Sequence, residues 1–162
     1  MARSVLAEEI KKHLPFDSPT EEAYLNLART YAQLTGPSDS LFKRHGISPA
    51  KYNILRILRG ATRMGEGCKA GLPSLEVAQR MITRLPDITR LVDGLEAVGL
   101  VSRTRCKKDR RIVYVGITRK GKELLDRIDK PVNDLVHGLL RHMTNQDLAD
   151  LSRLLVKARK SE

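Results

Sequence analysis

The sequence of 162 residues contains no long apolar run and very little cysteine. No stretch approaches the roughly 18 consecutive apolar residues that a membrane-spanning helix requires. The start, Met1 to Ser4, leads into charged residues rather than into the apolar core of a signal peptide. Two cysteines, Cys68 and Cys106, are too few for a secreted disulfide scaffold. Because 41% of the residues are hydrophobic, the chain can bury a core, and we expect one folded domain in the cytoplasm.

The sequence also lacks the motifs of common enzymes and metal sites. It has no nucleophile–base pattern, no phosphate-binding glycine loop and no paired carboxylates in a recognisable motif. The four histidines are His13, His45, His137 and His142. The last two lie imperfectly on one helix face, and no Cys or Glu stands beside them at a compact ligand spacing. We therefore expect no catalytic activity, no metal site and no cofactor.

Acidic residues are scarce relative to basic ones, with 19 Asp and Glu against 30 Lys and Arg and a formal net charge of +11. Residues 61–120 alone carry 13 basic and six acidic side chains. The densest segment, residues 103–111, has six cations and one anion in nine residues. Such a concentration suits a polyphosphate partner. Taken alone, the segment is also compatible with a solvated basic loop.

The first 60 residues predict a weakly patterned arm followed by two helices. Residues 1–19 form the arm, and apolar side chains recur at helical spacing from near Thr20. Gly36-Pro37 should interrupt or bend that first helix. Ser48-Pro49 provides an N-cap and a first-turn proline for the second helix.

The middle of the chain combines a helix-turn-helix pattern with a basic hairpin. Ser74 is a candidate cap for a short helix, and Pro86-Asp87 opens a second helix that ends before Gly99. Two β-prone runs follow, at residues 100–104 and 112–117, with the basic cluster between them. A helix-turn-helix followed by a basic hairpin is the order of a winged helix.

The C-terminal part of the chain is helical again and strongly amphipathic. Apolar side chains from Leu125 to Met143 trace one stripe through about six turns. A last helix follows the capping sequence at Thr144. Because this stripe exceeds what a small winged-helix domain can cover, we expect a homodimer. A monomer that folds these helices onto its own lobe is the alternative.

These patterns together predict a mainly α fold with a small β-hairpin. A winged helix-turn-helix domain is flanked by N- and C-terminal helices that form a dimer platform. The expected divisions are an N-terminal arm (1–19), an N-terminal dimerisation helix (20–46), a winged helix-turn-helix DNA-binding lobe (47–118) and C-terminal dimerisation helices (119–162).

Five short segments of the middle region share one family pattern. They are Val77-Ala78-Gln79-Arg80-Met81, residues 87–96, Gly99-Leu100-Val101, Asp109-Arg110-Arg111 and Ile117-Thr118-Arg119-Lys120-Gly121. On these segments the chain resembles the MarR family of multiple-antibiotic-resistance regulators, and the likeness extends loosely from about Ser18 to Arg159. The resemblance implies a homodimeric winged-helix regulator that binds a pseudo-palindromic operator in double-stranded DNA. It also implies a repressor that a small ligand or an oxidant releases.

The second helix of the helix-turn-helix, residues 86–98, supplies candidate DNA contacts. With its apolar stripe turned inward, it leaves Thr89 and Arg90 where a recognition helix reaches base edges in the major groove. An intramolecular pair of Arg90 with Asp87 or Asp93 is the alternative. We interpret Asp87 as a helix cap rather than as a base-reading residue.

The basic hairpin supplies the other candidate contacts. The resemblance maps the family's Asp-x-Arg pattern onto Asp109 and Arg111, with the arginine in the minor groove and the carboxylate holding it. A guanidinium suits a narrow A·T-rich groove because it is always charged and weakly hydrated. We expect phosphate contacts from Arg103, Arg105, Lys107, Lys108 and Arg110. Pairing within the dimer is a second interpretation of Arg103 and Arg105.

The sequence leaves two other functions open. A non-specific or architectural nucleic-acid-binding protein would need only the net charge of +11. A thiol-based redox sensor would use Cys106, which has cationic neighbours, or Cys68 in a glycine-rich loop. The peroxide-sensing branch of the family, however, carries its cysteine in the N-terminal helix, where this chain has none. The effector that the resemblance implies is a small aromatic or anionic molecule between the dimer platform and the DNA-binding lobe.

Overall fold

The computed structural model describes residues 4–66, 71–83, 87–106 and 109–160. Within these ranges the chain forms seven helices and three short strands. They are α1 (Val5–Glu9), α2 (Pro19–Arg44), α3 (Pro49–Met64), β1 (Leu72–Pro73), α4 (Ser74–Arg80), α5 (Ile88–Ala97), β2 (Val101–Arg105), β3 (Val113–Ile117), α6 (Arg119–Leu140) and α7 (Asn145–Arg159). The expected class, a mainly helical winged helix-turn-helix, is confirmed. In the described ranges no helix has the combined length and apolar character that crossing a bilayer demands.

The hydrophobic core is built around α3. Ile54 and Leu55 of α3 are completely buried, as are Leu125 and Ile128 of α6, which packs against α3. The same core continues into α4 and α5 through buried apolar side chains. Burying one such side chain contributes roughly 1.5–3 kcal/mol to stability. Helix α3 therefore joins the helix-turn-helix to α6 through one continuous core.

The N-terminal arm contains a packed helix. Leu6 and Ala7 of α1 are buried, and the Arg29 guanidinium of α2 lies 2.6 Å from the Glu9 carboxylate. Both contacts hold residues before Thr20 against α2. The weak pattern of this segment therefore concealed one short helix.

Helix α2 continues through Gly36-Pro37, so of the two expected outcomes, an interruption or a bend, the interruption is not found. A proline inside a helix leaves one upstream carbonyl without its donor. That carbonyl belongs to Gln33, which is exposed, so water can bond it and limit the cost. Leu41 and Phe42, which follow, are buried and hold the last turns of α2 against the core.

The sheet has three antiparallel strands in the order β1-β3-β2 rather than the two of the predicted hairpin. The predicted pair is present, with Val101 opposite Ile117 and Arg105 opposite Val113. The additional strand β1 is only two residues long, too short to show an alternating pattern. Gly71 precedes it with φ +113°, and a Cβ there would lie 2.0 Å from the Val115 carbonyl oxygen. Only glycine fits this close approach.

The helix-turn-helix consists of α4 and α5. The expectation that Ser74 caps α4 was wrong, because its hydroxyl donates to the Val113 carbonyl of β3 at 3.1 Å. Asp87 does cap α5, since its carboxylate accepts from the Arg90 backbone N–H at 2.9 Å. Pro86, expected to open this helix, lies outside the described residues. Gly99, with φ +72°, follows the end of α5.

Helices α6 and α7 close the chain. Helix α6 is one element through Pro131, and α7 begins at a capping box formed by Thr144 and Asp147. None of the residues of α7 is buried. A helix with four leucines and no buried residue has an apolar face that the rest of the described chain does not cover.

Candidate nucleic-acid interface

Helix α5 buries one face and exposes the other. Val92 and Leu95 anchor it in the core with 1% and 0% exposure. Thr89, Arg90 and Asp93 are exposed on the remaining surface. The Arg90 guanidinium has no ion pair within the described part of the chain, so the alternative of a pair with Asp87 or Asp93 is not what the structure has. Helix α5 thus presents a hydroxyl and a free cation near its N-terminus.

The wing is the loop between β2 and β3. Its turn is held by the Asp109 carboxylate, which accepts from the Arg111 backbone N–H at 2.9 Å. The Cys106 backbone N–H donates to the Ile112 carbonyl at 2.9 Å and closes the loop. Asp109 therefore orders the backbone of the turn instead of holding the Arg111 guanidinium. Lys107 and Lys108, expected as phosphate contacts, lie outside the described residues.

Arg103 on β2 points to α5. Its guanidinium pairs with the Asp93 carboxylate, lies 3.4 Å from Glu96 and donates to the Thr89 carbonyl at 3.0 Å. The side chain is 24% exposed. Three contacts to one helix make Arg103 a link that fixes the position of the wing relative to α5.

An open groove runs between α5, α4 and the wing. It is lined by Thr89 together with Arg103, Arg105 and Arg111, above an apolar floor that includes Val92. The structure thus brings four of the predicted site residues to one surface. Arg110 is exposed at the turn of the wing. Because Arg103 is paired with Asp93, the guanidinium groups of Arg105 and Arg111 are the ones that make this groove complementary to a polyanion.

A polar cluster that sequence reasoning missed joins α3 to α6. Arg59 of α3 is buried, with its guanidinium 2.5 Å from the Asp129 carboxylate of α6 and 3.4 Å from Asp126. The Tyr52 hydroxyl donates to Asp129 at 2.9 Å and accepts from Arg56 at 3.1 Å. Burial raises the pKa of Tyr52 above its ordinary value, so its hydroxyl stays protonated at neutral pH. The only signal in the sequence was the i, i+3 spacing of basic residues on α3 and of acidic residues on α6.

Apolar side chains are exposed on α2 and α7. On α2 they are Tyr24, Leu27 and Tyr31, which are 69%, 49% and 67% exposed. On α7, Leu151 and Leu154 are 37% and 52% exposed. Residues at i, i+3 and i+7 share one helix face, so each helix presents an apolar stripe to solvent.

The chain is similar to known transcriptional regulators in sequence and in structure. A family model described as transcriptional regulator SarA/Rot matches residues 40–128. A solved MarR transcription factor from Planctomyces limnophilus is 38% identical, with 87% of this chain and 98% of that chain covered and a TM-score of 0.66. YkoM of Bacillus subtilis, an uncharacterized HTH-type transcriptional regulator, is 29% identical over 121 residues, 71% of this chain and 72% of that protein. The homoprotocatechuate degradative operon repressor of Escherichia coli is 25% identical over 118 residues, again 71% and 72%.

The winged helix-turn-helix fold, its basic groove and these similarities define a DNA-binding transcriptional regulator. The chain belongs to the MarR family. The resemblance carried by the five segments between Val77 and Gly121 is thereby confirmed.

Proposed function

We propose that this protein is a homodimeric, sequence-specific repressor that reads DNA with α5 in the major groove and the wing in the minor groove. The observation that carries the proposal is the shared groove in which Thr89 of α5 lies beside Arg105 and Arg111 of the wing. A duplex that places its major groove against α5 therefore meets the wing with its adjacent backbone and minor groove. A repressor of this kind works where the DNA is, in the cytoplasm.

Each predicted contact has a proposed role. Arg90 contacts a base or phosphate and Thr89 a phosphate or thymine methyl group, while Arg111 enters an A·T-rich minor groove. Arg105, Arg110, Lys107 and Lys108 contact phosphates. Arg103 and Asp109 have structural roles. Arg103 links β2 to α5, and Asp109 orders the backbone of the wing turn.

The homodimer is supported by the apolar stripes of α2 and α7. A helix of 15 residues with no buried side chain gains little from tertiary packing in a single subunit. A second copy that covers Leu151 and Leu154 would supply that packing, and a two-fold axis would present two α5 helices to the same face of a duplex. We therefore assign residues 20–46 and 119–162 to the dimer platform and residues 47–118 to the DNA-binding lobe.

The effector we propose is an aromatic anion held between α3 and α6. A cavity of about 140 Å³ there is lined by Arg59, Thr62, Arg63, Lys122 and Asp126. Arg59 is held by Asp126 and Asp129, so Arg63 and Lys122 are the cations left to bind the anion. Because pockets for drug-sized ligands measure roughly 300–1,000 Å³, this cavity has room for the anionic end only. The Escherichia coli relative represses an operon for degrading an aromatic acid, as its name states. A library of phenolic and carboxylate compounds should contain members that raise the melting temperature and release DNA.

The experiment that tests the proposal selects binding duplexes from a random-sequence pool and compares affinities at one fixed salt concentration. A specific repressor should bind the selected duplex at least about 10³-fold more tightly than a scrambled duplex of equal length. The selected sequence should contain two half-sites whose centres are one duplex turn, about 34–36 Å, or a multiple apart. A ratio near one would instead support a non-specific nucleic-acid-binding protein.

A further inference from the structure

The flank of α5 that faces α3, on the other side from the wing, forms a second open groove. It is lined by Lys51 from the first turn of α3 and by Asp87, Arg90, Asp93 and Gly94 from α5. Arg90 and Gly94 are four residues apart and therefore lie one above the other on the same face of the helix. Both exposed flanks of α5 thus border an open groove.

Gly94 allows the Lys51 ammonium to lie against α5. A Cβ at position 94 would stand 2.7 Å from Lys51 Nζ and 3.2 Å from its Cε, closer than such contacts allow. The missing side chain therefore leaves the space that the lysine occupies. As a result, the Lys51 ammonium lies over α5 one turn beyond Arg90.

The charges in this groove favour an anion. Asp87 is engaged as the helix cap, where it accepts from the Arg90 backbone N–H, and Asp93 is paired with Arg103 of the wing strand. In contrast, neither the Lys51 ammonium nor the Arg90 guanidinium has an ion-pair partner among residues 4–66, 71–83, 87–106 and 109–160. Two cations without an ion pair in the described chain consequently border a groove in which Asp93 is neutralised by Arg103 and Asp87 caps the helix.

The geometry of DNA explains why cations are needed on this flank. The major groove is about 12 Å wide and is bounded by a phosphate backbone on each side. An α-helix with its side chains is about 10–12 Å across, so a helix in the groove comes close to both backbones. The wing arginines stand beside one flank of α5, and Lys51 with Arg90 stands beside the other.

We propose that Lys51, positioned over Gly94, is a DNA-binding residue that holds a backbone phosphate on the α3 side of α5 together with Arg90. This inference rests on the proposed function, since it requires α5 to enter the major groove. Lys51 acts as a point charge on a phosphate and reads no base. Gly94 is a positioning residue that acts through Lys51.

The test measures binding of the full-length protein to a duplex selected from a random pool, between 50 and 300 mM salt. Each phosphate contact contributes about 0.9 to the slope of log affinity against log salt, so Lys51→Ala should lower the slope by about 1.8 in a two-fold dimer. Lys51→Arg should retain the wild-type slope because the charge stays. Lys130→Ala, which removes an exposed α6 lysine paired with Asp134, is the matched control and should bind as wild type. Base preference should be the same in all four proteins.

The Gly94→Ala variant tests whether Gly94 affects DNA binding only through the position of Lys51. Its methyl group meets only the flexible end of Lys51, so the protein should fold normally while DNA affinity falls. In the Lys51→Ala background the same change should have no further effect, because its target is gone.

Three results would overturn all or part of the inference. An unchanged slope in Lys51→Ala, while wild type binds the selected duplex, rejects the Lys51 contact and leaves the proposed function intact. Failure of wild type to select any duplex rejects both together. Additive losses from the two substitutions would reject the positioning role of Gly94.

Discussion

Arg59 and Arg103 are held by carboxylates of neighbouring elements, whereas Arg90 and Arg111 have no ion pair among the described residues. The four residues are chemically identical, and their sequence neighbourhoods do not separate them. What differs is whether a carboxylate from another element lies within reach. At the residue scale, the basic side chains therefore divide into those that stabilise the protein and those left to bind an anion.

The free arginines should differ in how they bind DNA. Arg111→Ala should weaken all A·T-rich sites and lower the salt slope, because a minor-groove arginine responds to groove width and charge. Arg90→Ala should relax preference at one position of each half-site by about 1–3 kcal/mol if it reads a base. If Arg90 contacts only a phosphate, Arg90→Ala should lower affinity and salt slope as Arg111→Ala does. Affinity and base preference unchanged in both variants would contradict this DNA-reading surface.

The α3–α6 cluster should be a major stabilising contact. Asp129→Ala leaves the buried Arg59 guanidinium with only the more distant Asp126, and breaking a buried pair in this way costs about 3–5 kcal/mol. Since Asp129 is 25% exposed, we expect the lower end of that range. Tyr52→Phe removes the hydrogen bond donated to Asp129 and the one accepted from Arg56, and should cost about 1–3 kcal/mol. Urea unfolding at one protein concentration measures both.

Asp134 provides the control for this comparison. It pairs with Lys130 on the surface of the same helix, so Asp134→Ala should change the free energy of unfolding by no more than about 0.5 kcal/mol. Equal effects of the Asp129 and Asp134 substitutions would show that the cluster adds no more than a surface pair.

At the scale of elements, contacts between strands and helices set the shape of the lobe. Strand β1 pairs with β3 through Leu72 and Val115, and both side chains are completely buried. Ser74 adds a bond from α4 to β3, and Arg103 links β2 to α5. The helix-turn-helix is therefore joined to the sheet at the central strand β3, through α4, and at the edge strand β2, through α5.

Alanine substitutions at two glycines should change the stability of the protein in opposite directions. Gly71→Ala should destabilise the protein by at least about 1–3 kcal/mol, because φ is +113° and the added methyl would overlap the Val115 carbonyl. Gly36→Ala should stabilise α2 by up to about 1 kcal/mol, since nothing lies within 4 Å and alanine favours helix. Thermal unfolding of the two variants should therefore shift to opposite sides of wild type. A stable Gly71→Ala protein would refute the close approach of β1 to β3.

At the scale of the whole molecule, one subunit leaves its N- and C-terminal helices incompletely covered. The core around α3 is closed, but the apolar stripes of α2 and α7 face solvent. These helices lie at the two ends of the chain, and each would gain packing from the same partner. We expect them to form one continuous interface.

Sedimentation equilibrium at micromolar concentration should show a species of roughly twice the 18.2 kDa subunit mass. Leu154→Asp should shift the population toward monomer, because a charge in an apolar interface is left without a partner. Val98→Asp changes a similarly exposed apolar residue of the lobe and should leave the dimer intact. Only 18.2 kDa species in the wild-type sample would rule out the dimer.

The sequence by itself determined the order of helices, the wing and the family. These features depend on local rules, such as apolar periodicity, the Asp87 cap and the concentration of cations in residues 103–111. Such rules act between residues within one or two helical turns, so the sequence alone is enough to predict the features that follow from them. The exceptions were α1 and β1, which are too short to show a pattern, and Gly36-Pro37 and Ser74. At the last two sites, contacts with neighbouring segments outweighed the local preference.

The tertiary structure alone decided which charged residues pair and which stay free. Arg59 and Asp129 are 70 residues apart in the chain, and Lys51 meets Gly94 only because α3 packs against α5. No local pattern encodes such a contact, since its energy depends on distance and burial in the folded state. For the same reason, the site residues are candidates by their sequence, but the fold was required to show which of them pair with a carboxylate of the described chain and which do not.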